Sequence, residues 1–275
     1  MEAAWIEGKV LTLDETEVGE LNGRRLALVG KIIADKPLSK GGVQGVFKRA
    51  WGEWRDFTVT ELSENTYLFT FKEARAAEQI LEDGPWSVMG YCICLHRWQP
   101  GFTLDELDFS QVAYWVQVHG LSLDQMSPKN AKKVGDQIGR VMEIEDPISS
   151  HGIRRGFFRI RVLIDVSKPL PSGFWASRAG KSNVWASFKY EHLADFCYNC
   201  GCLGHVEGHC VKDTVMSIPD PSLPKYGPWM RANPSVNAMK ALAEMDKAPQ
   251  KAKHVMGNVI LRLKYSFLLL FNLFF

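Results

Sequence analysis

Hydrophobic and polar residues follow two distinct periods in the first hundred residues of the chain. Alternation with a period of two predicts a β-hairpin, whose second strand carries Tyr67, Phe69 and Phe71. Apolar residues at helical spacing predict one helix near residues 43–50 and another near residues 74–81. With one strand before the first helix and one after the second, the order is β-α-β-β-α-β. This order predicts a ferredoxin-like antiparallel sandwich with both helices on one face of the sheet.

A second α+β block is predicted from residue 106 to residue 194. Ser127 and Pro128 predict the start of a helix that continues to Gly139, because serine caps helices and proline is favoured at the first helical position. Alternation in the long strand that follows separates an apolar face from a face with Phe157, Arg159 and Arg161. The sequence leaves open whether this block packs on the first sheet or forms its own sandwich. The predicted strands of the block lie near residues 114–119, 141–144, 158–166 and 184–190.

The residues most typical of a metal site follow this block. Cys197 and Cys200 are separated by two residues, and four residues separate Cys200 from His205 and His205 from Cys210. Three thiolates and one imidazole complete a tetrahedral shell around one Zn²⁺ and leave no position open for a substrate. A segment this short cannot bury a core, so the metal must supply its folding energy. The spacing is that of a CCHC zinc knuckle, a module that mostly binds single-stranded nucleic acid.

Other interpretations of these cysteines remain. Cys202 and His209 lie inside the same loop and are rival ligands, although Cys202 changes the two-residue gap and His209 adjoins a ligand. The thiols could also be free in a reducing compartment. A disulfide framework is disfavoured because no secretory signal is recognised, so we expect an intracellular location, in the nucleus or cytoplasm.

The predicted division of the chain has five parts. The acidic lead-in contains six acidic residues and one lysine, and the proline-rich C-terminal part predicts an extended linker with an apolar tail at residues 267–275. The tail is shorter than the ~20 residues of a membrane-spanning helix, so no membrane partner is predicted. A tail that binds a partner or touches a membrane surface and the product of a frame or exon boundary both remain open, and the second is favoured. The parts are the lead-in 1–22, the ferredoxin-like domain 23–105, the α+β block 106–194, the knuckle 195–212, and the linker and tail 213–275.

Charge is unevenly distributed, although the formal net charge is only +2. Residues 151–190 contain eight basic residues and one acidic residue, and such a block can neutralise phosphates. Tyr198 is a candidate for stacking on a base, and Phe157 is a second candidate unless it packs beneath the second block. The knuckle itself has no lysine or arginine between its outer cysteines, so phosphate contacts must come from elsewhere. The candidate phosphate-binding residues are Arg154, Arg155, Arg159 and Arg161.

The chain resembles a plant family whose members carry a domain of unknown function followed by a CCHC zinc knuckle. These proteins are similar to the first-open-reading-frame, gag-like products of LINE-type retrotransposons. The resemblance covers about residues 20–232 and implies nucleic-acid binding, zinc binding and a mobile-element origin. The apolar tail has no counterpart in the family pattern. The matching blocks are residues 28–32, 47–51, 67–71, 81–86, 97–101, 114–121, 161–170, 188–193, 195–201 and 226–229.

No catalytic constellation is recognised, so we expect a protein that is not an enzyme and has no small-molecule substrate. Gly180-Lys181-Ser182 resembles the end of a phosphate-binding loop, but the expected preceding glycine is Trp175. The leading hypothesis is zinc-dependent binding of single-stranded RNA or DNA. The alternative is a protein–protein adaptor in which the knuckle is only a structural clip. Its self-association surface would be marked by Trp51, Trp54, Trp86 and Trp98.

Overall fold

The computed structural model describes residues 10–13 and 26–232, apart from residues 53, 55, 100, 150, 151 and 154. Within these ranges the chain forms two five-stranded antiparallel sheets and one short two-stranded sheet. Most of the predicted acidic lead-in, and all of the apolar tail, lie outside the described residues. No helix in the described ranges is long and apolar enough to cross a bilayer.

The first sheet has the strand order β2-β3-β1-β5-β4. Without its short edge strand β4, this is the ferredoxin-like order, so the predicted fold is confirmed. The edge strand was not predicted, because three residues are too few to show a period. The elements are β1 (Ala27–Ile33), α1 (Lys40–Ala50), β2 (Phe57–Ser63), β3 (Thr66–Phe71), α2 (Ala74–Asp83), β4 (Trp86–Val88) and β5 (Tyr91–Arg97).

The helix-bearing face of the first sheet buries a cluster of aromatic rings. Trp51 is 1% exposed, and its ring centroid lies 4.4 Å from that of Phe47 and 5.0 Å from that of Phe69. Trp54 and Trp86 are half-buried against the same cluster. Trp51 therefore does not mark a self-association surface, since its indole fills the interior of the sandwich.

The second sheet has the strand order β11-β12-β6-β10-β7. The predicted cap of its helix is confirmed, because Ser127 Oγ accepts a hydrogen bond from Asn130 N at 3.3 Å. The helix ends at Gly135 rather than continuing to Gly139, since residues 136–138 form a turn that leads into β7. Gly139 lies too close to the Leu163 carbonyl of β10 for a side chain. The elements are β6 (Gln111–His119), α3 (Pro128–Gly135), β7 (Arg140–Glu145), β8 (Ile148–Ser149), β9 (Gly152–Ile153), β10 (Phe157–Asp165), β11 (Gly173–Arg178) and β12 (Lys181–Tyr190).

The second sheet repeats the topology of the first with one helix fewer. Its central strands lie in the order β7-β10-β6-β12. In chain order these are the second, third, first and last strands of the block, which is the strand order of a ferredoxin-like sheet. The loop between Asp165 and Gly173 replaces the second helix. The helix α3 packs on β7 and β10. The remaining half of this inner face is covered by Cys92 and Cys94 of β5 and by residues that follow β12.

Cys92 and Cys94 of the first sheet pack against the second sheet and bond to it. The Cys92 thiol lies 3.3 Å from the Tyr114 hydroxyl, and the Cys94 thiol donates to the Gln111 carbonyl at 2.9 Å. Burial raises the pKa of Cys92 to about 11 and that of Cys94 to about 12, which keeps both as neutral thiols. The second block therefore has its own core and also packs on the first sheet.

Residues 213–232 fold back onto the second sheet, although their prolines predict an extended linker. Tyr226 is 3% exposed and Met230 is 1% exposed, and Ala232 N donates to the Tyr190 carbonyl at 2.9 Å. The physical reason is the apolar inner face that the absent helix leaves uncovered. Proline shapes the turns of this segment without preventing its large side chains from covering that face.

Candidate functional site

The four predicted metal ligands converge at one point. Cys197 and Cys200 lie on a tight turn that is closed by the hydrogen bond from Gly201 N to the Cys197 carbonyl at 2.8 Å. His205 follows this turn, and Cys210 follows a short turn of 3₁₀ helix at Glu207–His209. The ligand atoms of the four residues all lie within 4.8 Å of one another.

This donor set fits a zinc ion. In a tetrahedral site with Zn–S bonds of ~2.3 Å, sulfur atoms are separated by about 3.8 Å. The Cys200 sulfur and His205 Nε2 are already 3.4 Å apart, and Cys197 and Cys200 are buried. Three thiols and one imidazole are also the ligands that zinc prefers in closed structural sites.

The thiols of the site differ in acidity. Burial raises the pKa of Cys197 to about 11 and raises the pKa of Cys200. The amide of Lys212 donates to the Cys210 sulfur at 3.4 Å and lowers the pKa of Cys210 to about 7. Because zinc binds thiolates, metal binding must displace protons, most of all from the two buried thiols.

Cys202 and His209, the two rival ligands, do not belong to the cluster of four ligand residues. The backbone carbonyl of Cys202 accepts a hydrogen bond from Cys197 N at 2.9 Å, and its half-buried side chain does not join the four converging ligand atoms. His209 instead places Nδ1 2.7 Å from a carboxylate oxygen of Asp35, in the loop after β1. This hydrogen bond is the main cause of the lowered pKa of Asp35.

The knuckle contacts both sheets. On the side of the first sheet, Asp195 N donates to the Gly90 carbonyl at 2.7 Å, next to the contact between His209 and Asp35. On the side of the second, Leu170 N donates to the Gly201 carbonyl at 2.9 Å. Gly201 has a φ of 78° and lies directly under the Tyr226 ring, so a side chain there would be both strained and obstructed.

A buried arginine fixes the approach to the metal site. The Arg231 residue is 8% exposed, and its guanidinium donates to the carbonyls of Leu193 and Ala194 and to the Asp195 carboxylate at 3.4, 3.2 and 2.8 Å. It also donates to the Tyr198 hydroxyl at 2.6 Å. Arg231 was not among the predicted site residues, because the proline-rich composition around it indicated a linker. The signal was the nearby block at residues 226–229, which belongs to the family pattern.

Tyr198, the predicted base-stacking residue of the knuckle, makes its contacts within the protein. Its ring packs edge-on against Phe196 with centroids 5.0 Å apart, and its hydroxyl accepts the hydrogen bond from Arg231. The side chain is only partly exposed. These contacts favour a packing role, and the stacking role of Tyr198 stays a prediction.

Two of the predicted phosphate-binding arginines are also engaged internally. Arg159 forms a bidentate pair with Glu191 at 2.9 and 2.7 Å, contacts Glu145 at 3.2 Å and lies 3.8 Å above the centre of the Trp115 ring. The hydrogen bonds that Arg159 donates to the Glu191 carboxylate raise the pKa of Arg159. Arg161 donates to the last carbonyls of α2, at residues 81 and 82. Neither charge is available to a phosphate without losing these partners.

Arg155 and Phe157, two of the remaining predicted residues, lie at the beginning of β10. Arg155 forms an exposed ion pair with Glu145 at 3.3 Å, and its guanidinium lies 5.8 Å from the Phe157 ring centre. Phe157 stacks on His119 with ring centroids 4.7 Å apart and an interplanar angle of 28°. Arg154 lies outside the described residues. The structure thus brings the four metal ligands together but divides the predicted nucleic-acid residues between the knuckle and the second sheet.

Two families match parts of this chain. Residues 23–106 match a domain of unknown function (DUF4283), and residues 164–212 match a zinc knuckle family. The chain is therefore one that carries a domain of unknown function in front of a zinc knuckle. This arrangement confirms the part of the sequence resemblance that concerns domain order. No curated protein matches the chain at a significant level.

Three solved structures of other proteins match this chain at low identity and low TM-score. A Sxl-lethal protein/RNA complex is 11% identical, with 62% of this chain and 99% of that chain covered and a TM-score of 0.24. The RNA binding domain of Hrp1 in complex with RNA is 16% identical, with 50% and 81% covered and a TM-score of 0.23. The C. elegans NONO-1 homodimer is 12% identical, with 90% and 94% covered and a TM-score of 0.24. Likeness at this level carries no functional argument.

Proposed function

We propose that this chain is a non-catalytic protein that binds single-stranded RNA or DNA and depends on one zinc ion. We further propose that it derives from a retrotransposon gag-like protein, either as an element product or as a domesticated derivative. The observation that carries the binding proposal is the Cys₃His cluster within a segment that matches a zinc knuckle family. Zinc knuckles are established RNA-binding modules.

The zinc ion would stabilise the fold of the knuckle and would not take part in a reaction. Cys197, Cys200, His205 and Cys210 would hold it in a closed shell, where it supplies the folding energy of the knuckle. The packed knuckle in turn completes the inner face of the second sheet, through Phe196, Leu203 and neighbouring residues. Zinc dependence of nucleic-acid binding would then arise from the loss of this packing.

Electrostatics favour the second sheet over the knuckle as the contact surface. The knuckle offers no lysine or arginine between its outer cysteines, and it includes Glu207. The basic block at residues 151–190 lies largely on β10, β11 and β12. Arg159 and Arg161 of β10 are engaged within the protein, so the phosphate contacts are assigned to basic residues such as Lys181 and Lys189 of β12. Phosphate contacts by such residues release counterions, so affinity should fall steeply with salt.

Binding to a fluorescein-labelled 20-nucleotide single strand, RNA or DNA, tests the proposal. We expect a rise in fluorescence anisotropy at ~50 mM salt that weakens by at least tenfold at ~200 mM salt. A chelator strong enough to remove zinc should abolish the rise, and re-addition of Zn²⁺ should restore it. No binding at ~50 mM salt would overturn the proposed function.

A second candidate function is a protein–protein adaptor in which the knuckle is only a clip. The contacts from His209 to Asp35 and from Leu170 to Gly201 favour it, because they show the knuckle joining two sheets. Sedimentation of the zinc-loaded chain at several concentrations separates the two candidates. Self-association without affinity for the labelled strand would favour the adaptor.

A further inference from the structure

An aromatic row crosses the outer face of the second sheet, on the side opposite α3. Strand register places Phe157 directly opposite His119, and His119 opposite Ser187 of β12. Ser187 in turn pairs with Gly173, and the Trp185 indole lies over that glycine, 2.8 Å from where a Cβ would stand. Trp175 pairs with Trp185, with ring centroids 5.5 Å apart. We call Phe157, His119, Trp185 and Trp175 the aromatic row.

The aromatic row is not part of either hydrophobic core. Phe157, Trp175 and Trp185 neither belong to nor pack against the two buried hydrophobic clusters of the described residues. Trp175 is 48% exposed, and Phe157, His119 and Trp185 are partly exposed. Large apolar side chains that line up on a solvent-facing sheet mark a binding surface more often than isolated ones do.

Basic side chains surround the aromatic row. Lys189 lies two residues beyond Ser187 on the same face of β12, and Arg155 lies beside Phe157. Lys181, the first residue of β12, adds an exposed ammonium group. Lys189 is half-buried, and desolvation lowers the pKa of its ammonium group. Neither lysine has an ion-pair partner among the described residues, while the acidic Glu145 and Glu191 on this face already pair with arginines. This combination of ring faces and free positive charge is complementary to a single strand of nucleic acid.

We propose that the aromatic row is the surface on which successive bases of a single strand stack, with Lys189 and Lys181 beside its phosphates. This inference rests on the proposed function and gives it a location. The row spans four strands, or about 14 Å, a width suited to the two or three bases that sheet-surface aromatics bind in RNA-recognition domains. Stacking tolerates any sequence, because every base offers a π-face.

The first sheet lacks such a surface. Its aromatic residues Tyr67, Phe69 and Phe71 point towards the helices and are at most 3% exposed. The opposite face presents small polar residues such as Thr58 and Thr70, and its far side is covered at β5 by the second sheet. Base stacking on the first sheet would therefore require the core to open.

Substitutions at Trp175 test the inference on the full zinc-loaded chain. With the labelled 20-nucleotide strand at ~50 mM salt, Trp175→Leu should weaken binding about 5- to 100-fold, whereas Trp175→Phe should stay within about threefold of the wild type. The matched control is Phe102→Leu, since Phe102 is 52% exposed and lies outside the row. Lys181→Gln should weaken binding to all sequences and lower the salt slope by about one.

The outcomes separate this inference from the proposed function. If the wild type does not bind the strand, both are overturned. If the wild type binds and Trp175→Leu and Phe157→Leu bind equally well, the aromatic row is overturned while the proposed function stands. Zinc content and far-ultraviolet circular dichroism establish that each variant is folded. Should Phe157→Leu fail to fold, Trp175→Leu still decides the result, because the exposed indole contributes little to the core.

Discussion

The two sheets of this chain have the same strand order and both bury aromatic residues on their inner faces, but they differ in the aromatic residues of their outer faces. In the first sheet two helices cover one face, and aromatic residues such as Trp51 and Phe69 fill the space beneath them. In the second sheet one helix is absent, and the zinc knuckle and the segment up to Arg231 cover the space it would have filled. Phe157, Trp175 and Trp185 then lie on the outer face.

The difference suggests how a zinc knuckle can serve a neighbouring domain. An isolated knuckle has almost no core and relies on its metal. Here Phe196 and Leu203 of the knuckle and Tyr226 of the segment after it pack in the core of the second sheet. The knuckle and the sheet are therefore expected to stabilise each other, and the outer face depends on both.

Removing a metal ligand should have the largest effect. Cys200→Ser should abolish stoichiometric zinc and destabilise the second sheet by more than any substitution discussed below, since structural zinc contributes ~10–16 kcal/mol in small peptides. Elemental analysis and urea unfolding measure the two effects. The matched control is Cys202→Ser, which should keep its zinc. Loss of zinc from the control but not from Cys200→Ser would show that the ligand set is wrong.

Two tryptophans provide the next comparison between the sheets. Trp51→Ala should lower the free energy of unfolding by about 3–5 kcal/mol, because it leaves a cavity in the core of the first sheet. Trp175→Ala should cost less than about 1.5 kcal/mol, which is the most that an exposed aromatic pair contributes. Urea unfolding of both variants measures the costs. Equal costs would contradict the assignment of one ring to the core and the other to a surface.

Arg231→Gln should have an intermediate effect. It leaves the carbonyls of Leu193 and Ala194 without their charged donor, so we expect a loss of about 1.5–3 kcal/mol in the free energy of unfolding. Lys181→Gln is the control, because Lys181 is exposed and unpaired among the described residues. An Arg231→Gln variant as stable as the wild type would restore the linker interpretation of this segment.

The smallest expected effect is a pH dependence of the free energy of unfolding that arises from His119. Burial, with the positive charge of Lys189, lowers the pKa of His119 to about 4 from 6.5. A lowered pKa in the folded state means that the contribution to stability is complete above about pH 6.5 and is lost as pH falls towards 4. His119→Phe should therefore lose less stability than the wild type between pH 7 and pH 5. Identical losses in urea unfolding would contradict an imidazole that stays neutral in the folded state.

The sequence predicted local features well and distant contacts poorly. The alternation at Tyr67, Phe69 and Phe71 is visible in a short window, and the fold of the first domain followed from such periods. The spacing of the four metal ligands is equally local, and the metal site followed from it. The contacts of Arg159 could not be predicted, because Glu145 lies on β7, 14 residues away, and Glu191 follows β12, 32 residues away.

The aromatic row was hidden for the same reason. Phe157 was a candidate from its strand alone, but Trp175 and Trp185 join it only through the register of β11, β12 and β6. The fold-back of residues 213–232 was missed because proline content describes the backbone, whereas the need to cover the second sheet is a property of the tertiary structure.

Hydrogen exchange of the full chain with and without zinc tests the central claim most directly. If the zinc-bound knuckle completes the second sheet, a chelator should abolish protection of the amides of Asp195, Cys197 and Leu170 and weaken it along β12. Protection along β1 and β3 should largely persist, because their helices do not depend on the metal. Unchanged protection throughout the second sheet after complete metal removal would contradict the account.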